Sequence, residues 1–271
     1  MMDRNVLRNN SNHSSESIFM ANHHAHDAEY VLNRWKAIAE RIGAEWTTLI
    51  DASDNAPEVG VFSLKGDPAR PSVYLSAGIH GDEPAGVLGL LDWADSQLTN
   101  WTLGDVVIFP LLNPWGLINN SRVDQRGKDL NRAFDSLDAP LVASWKRFLG
   151  SQKFAVAICL HEDFDARGCY CYEIYRTGKP RFGRDSLEAA CDVIPMESNT
   201  KIEGRDADRG LLDLDEIPEM DEPGAPEAFP LYRDYAEVTM TFETPSEYSL
   251  YARVRAHEKF LCHVVARLRG R

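Results

Sequence analysis

Short continuous apolar runs alternate with helically spaced apolar stretches along most of this 271-residue chain. Residues 27–41 place Tyr30, Val31, Trp35, Ile38 and Ala39 at helical spacing, and Gly43 suits the C-cap of that helix. Residues 45–50 and 59–65 read as strands joined by a polar turn. Residues 72–79 form a buried strand that Gly81 breaks, and Pro84 fits the first turn of a helix over 84–95. Residues 105–112 are a second buried strand, 140–149 a short helix, and 154–160 an apolar run that ends on His161. A strand over 170–175 and a helix over 186–193 follow. Residues 237–242 alternate through Val238, Met240 and Phe242 to reach Glu243, and 250–268 form an amphipathic helix. No repeat and no linker divides the pattern. It predicts a single-domain α/β/α sandwich over residues 26–271, with helices on both faces of a mixed, largely parallel sheet. Residues 1–25 are polar and read as a flexible tail, so His23, His24 and His26 read as solvated rather than chelating.

Composition narrows the function. A hydrophobic content of 44% supports a sizeable core. No apolar stretch approaches the ~18 residues of a membrane helix, and the N-terminus lacks a basic-then-apolar signal pattern. The net charge of −13 argues against nucleic acid or an anionic membrane as partner. Five cysteines without a C-x-x-C pair read as reduced thiols in a cytoplasmic protein. Much of the charge is local. Residues 203–227 hold ten acidic side chains against Arg205 and Arg209, with Pro218, Pro223 and Pro226, and read as a long irregular excursion.

Three apolar strands end in residues able to do chemistry. His80 and Glu83 follow the first, at the spacing of two metal ligands. His13/Glu16 and His26/Glu29 share that spacing without any such setting. His161 ends the second strand and Glu243 the third. On a largely parallel sheet all of these meet at one edge, where open α/β sheets bind ligands. Two imidazoles and a carboxylate make a three-ligand zinc site with a fourth position for water, and Glu243 is left as general base. A capped helix start for Glu83 and a hydrogen-bonded structural role for His161 are the plainer alternatives. The segment from Asn113 through Arg132 follows a further strand and concentrates Arg122, Arg126, Asn131 and Arg132. Arginine suits a carboxylate or an oxyanion, and Asp129 suits the second nitrogen of a metal-bound imidazole.

Five motifs in order then carry a resemblance: His-Gly-Asp-Glu (80–83), Asn-Pro-x-Gly (113–116), Arg-Val-x-x-x-Gly-x-Asp-Leu-Asn-Arg (122–132), Leu-His-Glu-Asp (160–163) and Thr-Phe-Glu-Thr-Pro (241–245). Together they resemble the M14 zinc carboxypeptidases, in their compact bacterial form and in the succinylglutamate desuccinylase–aspartoacylase branch. The resemblance implies one zinc per chain on His80, Glu83 and His161, with Arg122 polarising the scissile carbonyl. It implies Asn131 and Arg132 on the substrate's α-carboxylate, Glu243 as base and Asp129 supporting a ligand. Tyr232 and Tyr235 are the candidates for a substrate-capping tyrosine. The substrate expected is a small peptide or an N-acyl amino acid. The interval from Glu83 to His161 is short, so the specificity loops of digestive relatives are absent.

Overall fold

The computed structural model describes residues 15–219 and 224–270. The first fourteen residues of the expected tail lie outside them. From Ser15 to Asn22 the chain is helical, and Phe19 packs against Tyr251 with ring centroids 5.4 Å apart.

Eight strands form one sheet in the order β1-β2-β4-β3-β5-β10-β6-β9. They are β1 (Glu45–Ile50), β2 (Val59–Leu64), β3 (Val73–Ala77), β4 (Val106–Phe109), β5 (Phe154–Asp163), β6 (Tyr170–Tyr175), β9 (Leu211–Leu214) and β10 (Ala236–Pro245). The central neighbours β4, β3, β5 and β10 run parallel, while β1, β2 and β6 join antiparallel. Strands β3 and β4 are buried along their whole length, as parallel strands covered on both faces must be.

The two faces have separate cores. Val73, Leu75, Val238, Met240 and Phe242 point to one face. It is covered by α1 (Ala28–Ile42), α2 (Pro84–Gln97), α5 (Gly183–Ala190) and α6 (Leu250–Arg269). Tyr74, Val107, Phe109, Ala157 and Cys159 point to the other. There α4 (Pro140–Leu149) packs with Phe134 and Leu231. A short α3 (Pro114–Asn119) lies between β4 and the 122–132 segment.

The chain leaves β3 through α2 to reach β4 on one side, then returns through α4 to β5 on the other. The connections diverge between β3 and β5, and the crevice beyond their carboxyl ends is the fold's natural ligand position.

Two expectations change. Strands β5 and β10 run three residues past their apolar runs, because backbone pairing continues from Glu243↔His161 to Pro245↔Asp163. His161 and Glu243 therefore sit inside strands rather than after them. The acidic stretch is also not wholly irregular. Residues 201–206 form a small hairpin of β7 (Lys201–Ile202) and β8 (Arg205–Asp206). Leu211–Leu214 pairs parallel to β6 and closes the sheet edge with Leu211 and Leu212 buried. Three leucines in four residues outweigh the charges around them, since burial follows the local apolar pattern rather than the segment's net charge.

Candidate metal centre and active site

The β3–α2 turn presents the first two donors. Gly78 takes φ +67°, and Gly81 has no room for a side chain: a Cβ there would lie 1.8 Å from the Gly116 carbonyl carbon. The turn is pinned by Asn113 N–H to Gly78 O (2.8 Å) and Gly81 N–H to Ser121 O (2.9 Å). Asn113 also caps α3 by accepting from Gly116 N–H (2.9 Å), so the Asn-Pro-x-Gly motif is scaffold for this turn. Pro84 then starts α2 with Glu83 at its N-cap.

His80 Nδ1 lies 2.5 Å from Glu83 Oε1, and His161 Nδ1 lies 2.9 Å from Glu83 Oε2. All three residues are buried, and their donor atoms lie within 4.8 Å of one another. On the far side of its ring His80 faces Asp129 Oδ1 through Nε2 at 3.2 Å. A carboxylate there accepts the Nε2 proton and leaves the Nδ1 lone pair for a ligand bond. Two imidazoles, one carboxylate and a fixed tautomer are a donor set that fits a divalent metal ion.

The electrostatics agree. Burial pulls the His80 imidazolium down, but Glu83 and Asp129 outweigh it and raise its pKa to about 9. Burial likewise opposes and Glu83 favours the proton on His161, with a net rise. The same partners hold Glu83 well below the usual carboxylate range against its burial. Without metal the Glu83 carboxylate thus faces a protonated His80, and a metal must displace that proton. Loading the protein with a divalent ion at neutral pH is expected to release about one proton or more per ion. Apparent affinity should fall as pH drops below about 9. Calorimetry in buffers of different ionisation enthalpy measures the release; none would show the imidazoles already neutral.

A buried ion pair supports these donor residues. Glu162 is 5% exposed. It accepts from Ala85 N–H (2.6 Å) and pairs with Arg253 of α6, while its own N–H donates to Glu83 Oε2 (3.1 Å). Burial raises the Glu162 carboxyl to about 7 even with Arg253 opposing.

Parallel pairing places Glu243 directly beside His161, and antiparallel pairing places Tyr170 on its other side. One same-face step back lie Cys159, Thr241 and Tyr172. Burial, with Glu83, Asp163 and Glu203 adding, pushes the Glu243 carboxyl up to about 8 against the pull of His161. These residues line a cavity of about 290 Å³ with His80, Glu83, Arg122, Asn131 and Arg132. Arg122 Nε donates to Asp129 Oδ2 (3.1 Å), and its Nη1 reaches Glu83 Oε1 at 3.5 Å. Asp129 accepts from Asn131 N–H (2.8 Å), and Asn131 Oδ1 accepts from Glu227 N–H (2.9 Å). Arg126 is not in the cavity; it closes its own turn on Asp124.

Tyr232 and Tyr235 are not brought to this cavity. Tyr232 O–H donates to Tyr175 O and Asp215 O at 3.4 and 3.2 Å, and Arg176 lies over its ring. Tyr235 packs on Trp145 with ring centroids 5.3 Å apart. Both precede β10, and Glu243 lies eight residues beyond Tyr235, roughly 26 Å along an extended strand. The tyrosines that do line the cavity are Tyr170, donating to Asp163 (2.9 Å), and Tyr172, donating to Glu203 (2.5 Å). Sequence reasoning missed both, and the signal was their alternation along β6. It also missed Glu227, which was counted only as one of ten loop acids.

Known proteins resemble this chain in part of its sequence and in its fold. Residues 69–158 match the succinylglutamate desuccinylase/aspartoacylase catalytic domain. That stretch includes His80, Glu83, Arg122, Asn131 and Arg132 and stops before His161. A protein of Shewanella baltica assigned as a metallopeptidase is similar over 90% of this chain and 93% of its own, at 22% identity and TM-score 0.77. A metallo-carboxypeptidase from Burkholderia cenocepacia is similar over 88% and 68%, at 13% identity and TM-score 0.60. A succinylglutamate desuccinylase/aspartoacylase from Rhodobacter sphaeroides is similar over 83% and 65%, at 16% identity and TM-score 0.55. At these identities the likeness is one of fold. No curated protein matches the chain. Among the described residues no helix is long and apolar enough to cross a membrane.

Proposed function

We propose that this chain is a zinc-dependent carboxypeptidase that hydrolyses the amide bond next to a free α-carboxylate in a small peptide. The observation that carries the reading is one cavity lined by the His80–Glu83–His161 donor set, Glu243, Asn131 and Arg132. Zinc is the metal that best suits two imidazoles and a carboxylate. Bound there, it supplies Lewis acidity that brings the pKa of water to near ~7 and polarises a carbonyl. Arg132 and Asn131 hold the substrate carboxylate and set the amide against the metal ligands. Arg122, half-exposed and oriented by Asp129, donates to the carbonyl oxygen as negative charge develops. Glu243 takes the proton of the attacking water and delivers it to the leaving amine. Its raised pKa suits a group that must both accept and donate near neutral pH.

The second reading is an N-acyl amino acid deacylase, favoured by the match of residues 69–158. The same groups serve both reactions, so products decide. Zinc-loaded protein should be incubated with short peptides and with N-acyl amino acids. Release of a C-terminal amino acid from peptides supports the carboxypeptidase. Release of a small carboxylic acid, with peptides left whole, supports the deacylase.

A further inference from the structure

Glu83 stands at the N-cap of α2, yet its side chain makes no capping hydrogen bond. An N-cap side chain ordinarily accepts from the N–H of the second or third helical residue. In α2 the first helical residue is Pro84, which has no N–H, and the second is Ala85. Glu83 instead turns both oxygens to the donor group. Its Oε1 faces His80 Nδ1 (2.5 Å), and its Oε2 faces His161 Nδ1 (2.9 Å) and accepts from Glu162 N–H (3.1 Å). Ala85 is fully buried, so its N–H needs an acceptor from elsewhere in the protein.

Glu162 supplies that acceptor from β5. Alternate residues of a strand share a face, so Glu162 lies on the side of Leu160, where α2 and α6 cover the sheet. Its side chain is fully buried, and Oε1 accepts from Ala85 N–H at 2.6 Å. A carboxylate at this end of a helix is also favoured by the helix dipole. Arg253 of α6 pairs with Oε2 and offsets the cost of burying the charge. Arg253 is itself fixed, because its Nε donates to Tyr248 O (3.0 Å). Three elements thus meet on one carboxylate, directly after His161 in the chain.

We propose that Glu162 is a positioning residue of the metal site. It caps α2 in place of Glu83, so the Glu83 carboxylate stays between His80 and His161, and Arg253 holds Glu162 in that post. Without the Glu162 oxygen, the N-cap carboxylate of Glu83 turns onto Ala85 N–H and the donor group is spoiled. The inference rests on the donor role given above to His80, Glu83 and His161. Glu162 acts through Glu83 rather than on metal or substrate.

The test compares two double variants of matched size: Glu162→Gln with Arg253→Met, and Glu162→Met with Arg253→Met. Both lack the ion pair and both keep the backbone N–H that meets Glu83. They differ in the one oxygen able to accept from Ala85. Zinc affinity of the metal-free proteins is measured by chelator competition, with thermal unfolding beside it to show that each is folded. The glutamine variant should bind zinc within a few-fold of wild type. The methionine variant should bind about 10- to 100-fold more weakly, the usual effect of losing a group that orients a ligand. An ion pair with a merely structural role would weaken both alike, so equal affinities in the two variants overturn the proposal. If the methionine variant does not fold, Glu162→Asp decides, because it keeps a charge for Arg253 and falls one carbon short of Ala85. Zinc bound as tightly as by wild type would then refute the capping role. If wild type itself takes up no zinc, the donor-set reading fails, and crystal structures of the metal-free variants decide the present one. Glu83 should remain between the two histidines in the glutamine variant and turn onto Ala85 N–H in the methionine or aspartate variant. Glu83 in its wild-type place in all of them would refute the proposal.

Discussion

Glu243→Gln is expected to lower turnover by roughly two to four orders of magnitude while metal binding stays intact. The substitution keeps size and shape and removes only the group that accepts a proton. Glu243 lies beside His161 in the strand register but is not one of the three grouped donors, so the metal site should survive its neutralisation. Rates under saturating substrate and metal content measured on the same preparation separate the two effects. Near-normal turnover would move the role of base to Asp163. Glu162 is excluded from it by its bonds to Ala85 N–H and Arg253.

The second large effect concerns the carboxylate. Arg132→Ala should weaken transition-state binding by about 2–5 kcal/mol, the usual cost of removing one partner of a buried charge pair. That corresponds to a loss of roughly thirty- to a few thousandfold in kcat/KM, most of it in KM. Amidating the substrate's carboxyl group should cost the wild type a similar factor and the variant little. The two changes remove the same interaction, so they should not add. Equal cleavage of amidated and free-acid substrates by wild type would leave only a generic metallohydrolase.

Two members of the donor group were legible in the sequence because they are local. His80, Gly81 and Glu83 lie within four residues, and the turn they need follows from a broken strand and a proline. The pairing of His161 with Glu243 was legible only as two apolar runs that end in chemistry. That they are neighbours depends on β5 and β10 being adjacent and parallel, which no single segment states. Tyr170 and Glu227 were illegible for the same reason. One is placed by the antiparallel register of β6 against β10. The other is placed by a return of the chain across 153 residues onto Tyr74. Tyr232 and Tyr235 show the converse error. Nearness to Glu243 in sequence becomes distance in space once the intervening residues are an extended strand. β9 was hidden because charge counting over 25 residues averages away a four-residue apolar strand.

The central claim is that His80, Glu83 and His161 hold a catalytic zinc ion. Elemental analysis of the purified wild type and of His161→Ala after equal exposure to zinc tests it most directly. About one zinc per wild-type chain, and loss of most of it in the variant, is the predicted result. Full occupancy in His161→Ala would contradict it.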